Sequence, residues 1–309
     1  MKEVDINKYH KDSTLLEDKN LKKVELLNKI KEKIKEIRTY TPKVAIFGDS
    51  GVGKSSLCNA LFGKDVAKVS DVEVGTTKPQ EIKISNQGGG LILIDFPGIG
   101  DGKNDYTELY KDKLKDIDLV IWVIKSDDRS YQLAVEFYKD VLKPNIDICP
   151  VVFAITQVDK IEPIEEWYEN NNNKLGENQK NNLVKKINDI SNVFDISTKY
   201  IIGVSSKHKY NLIELVSKIV DVLPNEKKSS FTRETKEENV TEETFKKAEK
   251  GTWEAVKDYA EDLFEGMTDI AEEVAEFTEG LWNELKDNVS DMIKSSAPKV
   301  MKYIFSKWF

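Results

Sequence analysis

Gly48-Asp49-Ser50-Gly51-Val52-Gly53-Lys54-Ser55 is the densest chemical signal in the sequence. Its spacing, G-x-x-x-x-G-K-[ST], suits a loop whose glycines let successive backbone N–H groups close around phosphate oxygens. The helix that must follow, opening with Lys54, Ser55 and Ser56, presents its positive end to the same anion. Lys54 is expected to reach the β- and γ-phosphates, and the Ser55 hydroxyl to hold Mg²⁺. Asp95-Phe96-Pro97-Gly98 adds a carboxylate that can hold the same ion, directly or through water. The Gly98 amide is suited to sense a γ-phosphate, and the run GIGDGKND to reorder when that phosphate leaves. Between these two segments Gly75-Thr76-Thr77-Lys78 supplies the threonine expected to close over Mg²⁺, Thr77 in first place and Thr76 in second.

A second pair of segments has the chemistry of purine recognition. In Thr156-Gln157-Val158-Asp159-Lys160 the Asp159 carboxylate can accept from the N1–H and N2–H₂ of guanine. Adenine lacks that donor pair, so a buried carboxylate rejects it. The Gln157 stem would pack on the base. In Val204-Ser205-Ser206-Lys207 the Ser206 amide could donate to guanine O6. His10 and His208 lie among polar residues and read as solvated surface histidines. Asp127-Asp128-Arg129 reads as an ion-paired loop, since charge runs are usually solvated.

These segments need a scaffold that brings them together. KVAIFG (43–48) reads as a short buried strand, and EIKIS (81–85), LILIDF (91–96), DLVIWVIK (118–125), VVFAIT (151–156) and YIIGVS (200–205) read as strands. SSLCNALFG (55–63), YQLAVEFYKDVL (131–142), NNLVKKINDISNVF (181–194) and NLIELVSKIVDVL (211–223) have helical periodicity. Strands alternating with helices predict an α/β fold: a mostly parallel sheet with helices on both faces. The tight NQGGG turn makes EIKIS and LILIDF the antiparallel edge. The Asn-rich stretch 169–182 reads as an exposed loop.

Four regions follow. Residues 1–41 read as an N-terminal amphipathic helix, with Val24, Leu27, Ile30, Ile34 and Ile37 at spacings of three and four and Thr41-Pro42 ending it. Residues 42–224 carry the phosphate and base motifs. Residues 225–250 are charged and read as a linker. Residues 251–309 read as helical, with a heptad-like stripe from Trp253 through Val256, Ala260, Leu263 and Met267. Their end, 294–309, mixes lysines with Tyr303, Phe305, Trp308 and Phe309, a composition suited to an anionic membrane surface. Packing on the rest of the chain and self-association into a homo-oligomer are the other fates of that stripe.

Composition narrows the partners. The 309 residues are 39% hydrophobic and 33% charged, with net charge −8. An acidic chain is a poor default partner for nucleic-acid phosphates, so RNA or ribosome binding is not expected. The start has no apolar signal region and no run of 18 apolar residues exists, which favours a cytoplasmic protein. Cys58 and Cys149 lack the spacing of a disulfide framework or zinc site and read as buried reduced thiols.

The five motifs, in this order over residues 42–224, resemble those of translation-factor-class GTPases. SSLCNALFG, GTTK, DFPGIG and SSK…NLIELVSKIVDVLP are similar to the Era-related branch. WVIKSDDRSYQLAVEFYKDVL is closer still to the YeeP/YfjP-like bacterial GTPases. The resemblance implies a P-loop G domain that binds GTP and GDP and hydrolyses GTP with Mg²⁺ as a conformational switch. It implies catalytic roles for Lys54, Thr77 and Gly98, metal ligation by Ser55, Thr77 and Asp95, and nucleotide contacts from 49–56, Thr156, Gln157, Asp159 and 205–207. The sequence departs from the pattern at three places. Thr156 and Gln157 replace the usual Asn-Lys of the base motif, Ile99 stands where Ras-like proteins place a water-orienting Gln, and Gly51 stands where potassium-activated relatives carry Asn. The first two departures leave a poorly hydrolysing nucleotide-binding scaffold, acting through its helical flanks, as the alternative. The KH-type RNA-binding appendage of Era-like factors, with its GXXG clamp, has no counterpart in 225–309.

Overall fold

The computed structural model describes residues 21, 24–26, 28–37, 39–63, 80–84, 90–95, 107–129, 131–169 and 174–265. Thr76, Thr77, Gly98, the membrane-type end at 294–309 and the stripe beyond 265 lie outside these residues, as do His10 and Leu27.

Six strands form one sheet: β1 (Lys43–Phe47), β2 (Gln80–Ile84), β3 (Leu91–Asp95), β4 (Leu119–Lys125), β5 (Val151–Thr156) and β6 (Ile201–Gly203). Their order is β2-β3-β1-β4-β5-β6. All neighbours pair in parallel except β2 and β3, which pair antiparallel from Gln80↔Asp95 to Ile84↔Leu91. A strand buried on both faces needs apolar residues at every position, and β4 and β5 are near-continuous apolar runs for that reason.

Successive side chains point to opposite faces, so the inner strands β1, β4 and β5 feed two cores. One face joins Val44, Ile46, Ile121 and Val152 to α2 (Lys54–Phe62) through Leu57 and Leu61, and to α7 (Leu212–Val222) through Leu215 and Ile219. The other joins Ala45, Phe47, Trp122 and Phe153 to α3 (Thr107–Leu114), α4 (Gln132–Phe137) and α6 (Glu177–Phe194). At its centre Trp122 stacks on Phe47 (5.7 Å) and Phe153 (5.8 Å) and meets Tyr138 and Phe194 edge-on. Between β5 and α6 lies the short α5 (Glu165–Glu169), which buries Trp167.

Four segments differ from the sequence expectation. The 131–142 helix becomes a five-residue π-turn at Tyr138–Leu142, followed by a 3₁₀ turn carrying Pro144. The extra residue per turn keeps Tyr138, Val141 and Leu142 in the core. Helix α6 starts at Glu177, inside the stretch read as loop. There the Gln179 side chain accepts from Gly176 N–H (3.2 Å) and donates to Ile161 O (2.7 Å). The N-terminal helix, α1 (28–37), buries Ile30, Ile34 and Ile37 as expected, but Leu26 takes the next core position and Val24 is exposed.

The largest difference lies at 225–250. The residues read as a charged linker form α8 (Asn225–Glu234), a 3₁₀ turn at Glu237–Asn239 and the start of α9 (Glu242–Glu265). Phe231 packs edge-on against Phe62 at 5.9 Å. Arg233 Nε donates to Glu234 Oε1 (2.8 Å), and an Arg233 Nη2 hydrogen bond ends on Tyr40 O (3.1 Å). Glu234 also accepts from the Gly90 amide (3.1 Å) at the β2–β3 hairpin, and Asn239 Nδ2 donates to Ala60 O (2.9 Å) on α2. A charged composition therefore hides a polar clamp, because Arg233 and Glu234 satisfy each other and the backbone. Helix α9 packs back on α8, with Val256 and Ala260 fully buried.

Candidate functional site

The carboxyl ends of the parallel strands share one edge, and β1 is flanked there by β3 and β4, whose chain order runs to opposite sides. That reversal is where open α/β sheets bind ligands. The loop after β1 is the 48–53 run. Gly48 adopts φ +145°, and a Cβ there would stand 2.3 Å from the Val123 carbonyl oxygen, so the loop can pass over β4 only without a side chain. Gly51 has φ +78°, a left-handed conformation that favours glycine, with open space where a Cβ would be. Asp49 and Ser50 are exposed, Ser55 is half-buried and Ser56 is exposed at the start of α2. Val52 is buried.

Helix α2 begins without a side-chain cap and with no acidic residue in its first turn. Its leading amides and positive end therefore face the loop, a setting that favours phosphate. The Lys54 ammonium folds back on the loop, donating to Gly48 O (2.8 Å) and Asp49 O (3.0 Å). Neutral carbonyls are weak partners for a cation, so an incoming phosphate can recruit the same group.

The base-side segments reach this loop. Thr156, at the end of β5, is buried, and its hydroxyl donates to Val52 O at 2.5 Å, with Ile124 O a second acceptor at 3.3 Å. The residue that departs from the usual Asn thus bridges the two loops. Gln157 has φ +57°, and its Nε2 lies 3.9 Å from where a Gly53 Cβ would stand. Its carbonyl accepts from Ser126 Oγ (2.9 Å) and its Oε1 from Lys160 Nζ (2.7 Å). Asp159 is 7% exposed.

The loop after β6 closes on itself. Ser205 and Tyr210 exchange backbone bonds of 3.2 and 2.9 Å, with Ser206 half-buried and Lys207 exposed between them. Lys209 and Asn211 take left-handed φ values of 54° and 59°. His208 is not the surface residue its neighbours suggest: Nε2 is buried and lies 3.8 Å from Asp159 Oδ2. Sequence reasoning missed it because only the folded loop sets it against the base motif. Asp95 ends β3 in register with Ile46, two residues before Gly48, which puts its backbone beside the phosphate loop. Asp127, Asp128 and Arg129 follow β4. Asp127 pairs with Lys125 (2.9 Å), whose hydrogen bond holds its carboxyl below the usual range, and Asp128 accepts from Lys125 N–H (3.0 Å).

Residues 43–157 match the family described as 50S ribosome-binding GTPase. YkfA of Escherichia coli (strain K12) is 33% identical over 198 residues, 63% of this chain and 67% of that one. YfjP of the same organism is 32% identical over 204 residues, 65% and 69% of the two chains.

The chain belongs to the Era-related, YfjP-like family of GTPases.

GTP binding and hydrolysis are the general activity of that family, and its P-loop G domain agrees with the sheet described above. The family description also names 50S ribosome binding, which runs against the expectation drawn from the acidic sequence. Among solved structures, a point variant of Aquifex aeolicus Era bound to GDP.AlF4⁻ is similar at 26% identity and a TM-score of 0.40, covering 60% of this chain and 57% of that one. Among the described residues no helix is long and apolar enough to cross a membrane. Cys58 and Cys149 are both buried, and neither forms a disulfide among the described residues.

Proposed function

We propose that the chain binds GTP and hydrolyses it to GDP and phosphate, using the γ-phosphate as a conformational signal. The observation that carries this reading is the Thr156–Val52 hydrogen bond, which ties the 48–55 loop to the segment that carries Asp159. In this reading Lys54 leaves the Gly48 and Asp49 carbonyls for the β- and γ-phosphates. The amides of 50–55 surround the β-phosphate, and the Asp159 carboxylate accepts from the guanine edge while the Ser206 amide donates to O6. Ser55, Thr77 and Asp95 would hold Mg²⁺, which when bound neutralises charge building on the phosphate oxygens. Water attacks in line with the departing GDP, and the protein's contribution is positioning and charge stabilisation.

Ile99 follows Gly98 and offers no hydrogen bond to orient the water. Slow intrinsic turnover is the consequence, with acceleration by a partner or by a second copy. The test is phosphate release from GTP by the full chain and by Lys54→Ala. Loss of about two orders of magnitude in the variant supports the reading, in line with removal of a group that acts on the transition state. Equal rates would remove it.

A further inference from the structure

His208 has an unusual position for a histidine in a polar stretch. Its Nε2 is shut off from solvent and has no hydrogen-bond partner among the described residues. Buried polar atoms are almost always paired, so an orphan calls for a physical account. The ring is held on one side by Trp167 of α5, with centroids 5.2 Å apart, and Trp167 is itself buried and braced by Tyr210 at 5.6 Å. Its Nε2 lies 3.8 Å from Oδ2 of the Asp159 carboxylate. The backbone that carries the ring is tightly determined. His208 N–H donates to Ser205 Oγ (3.4 Å), Lys209 and Asn211 are left-handed, and the Ser205–Tyr210 pair closes the loop. Lys209 is further tied to Glu238 at 2.8 Å, in the segment before α9.

We infer that His208 is a positioning residue for guanine specificity, acting through Asp159. The inference rests on the reading of Asp159 as the guanine acceptor. A carboxylate offers about four lone-pair positions on two oxygens, and guanine needs one on each. A lone carboxylate can rotate and present only one oxygen. An Nε2–H donated to a remaining lone pair of Oδ2 fixes the plane so that both oxygens face the base. The present gap is about 0.9 Å longer than an ordinary N–H···O bond, a distance that seating the base can close. The orphan nitrogen gains its partner in the same movement. Lys160 does not compete for this role, because its ammonium is engaged by Gln157.

The experiment compares GDP with IDP, whose base keeps N1–H but lacks the exocyclic amine. Calorimetric titrations use the full chain, His208→Phe, His208→Gln and Asp159→Ala. Phenylalanine keeps the ring against Trp167 without a donor, and glutamine keeps a donor without the ring. His208→Phe is expected to weaken GDP about tenfold and IDP much less, so the GDP/IDP ratio shrinks, as expected when one of two aligned bonds to a charged group is lost. His208→Gln is expected to retain most of the wild-type ratio. A His208→Phe protein with the wild-type ratio, or one that loses GDP and IDP by the same factor, overturns the role of His208. Asp159→Ala separates the two levels. If it leaves GDP affinity unchanged, the reading of Asp159 fails and the inference fails with it; if it abolishes discrimination while His208→Phe does not, only the inference fails.

Discussion

Replacing Thr156 by Val tests how far the two halves of the site depend on one contact. The side chains are nearly the same shape, so packing is preserved and the hydroxyl alone is lost. In the structure that hydroxyl donates to Val52 O at 2.5 Å in a fully buried setting. Removing the donor leaves the Val52 carbonyl without this partner, at a cost of about 1–3 kcal/mol. The loop can recover the cost by opening to water, but nucleotide must then close it again, so the same energy reappears in binding. That corresponds to roughly a 5- to 150-fold rise in the GDP dissociation constant. Melting should fall by about 2–4 °C per kcal/mol for a domain of this size. Calorimetry with GDP and thermal denaturation read the two effects, and Thr156→Ser, which restores the hydroxyl, is expected to recover both. A Thr156→Val protein within twofold of wild type in affinity and unchanged in melting would refute the argument that this bond joins the loops.

Other substitutions follow from the same geometry. Gly48→Ala places a Cβ 2.3 Å from the Val123 carbonyl, backbone against backbone at φ +145°, and should abolish GDP binding in a fluorescence titration while leaving most secondary structure by circular dichroism. Glu234→Ala removes the acceptor of both the buried Arg233 Nε and the Gly90 amide, so urea denaturation should show a loss of about 3 kcal/mol. The Cys149 thiol, pushed up to about 12 chiefly by burial, is about one part in ten thousand thiolate at pH 8. Iodoacetamide should therefore label it only on unfolding; since the shift is upward, raising the pH to 9 should leave the folded protein unlabelled there.

Most of the sheet was legible because its inner strands are short, mostly apolar runs, and because the apolar residues of β4 and β5 run without polar interruption up to their last residue. Local signals end where partners decide. Nothing in FTRETKEEN marks Arg233 and Glu234 as buried, because their burial is permitted by Tyr40 and Gly90, far away in sequence. Periodicity alone cannot choose between Val24 and Leu26 as the next apolar contact of α1, since both lie within two turns of Ile30. The same holds at the candidate site. Spacing identifies the 48–55 loop, but Thr156 looks like a lost asparagine until its hydroxyl is seen on Val52. His208 looks solvated until the loop after β6 turns it toward Asp159.

The most direct measurement is calorimetric titration of the full chain with GDP and with ADP in the presence of Mg²⁺. The account predicts saturable one-to-one binding of GDP and at least about a hundredfold weaker binding of ADP, since adenine leaves the Asp159 carboxylate without its donor pair. Equal affinities for the two, or no heat with GDP, would contradict the assignment of this edge of the sheet to a guanine nucleotide.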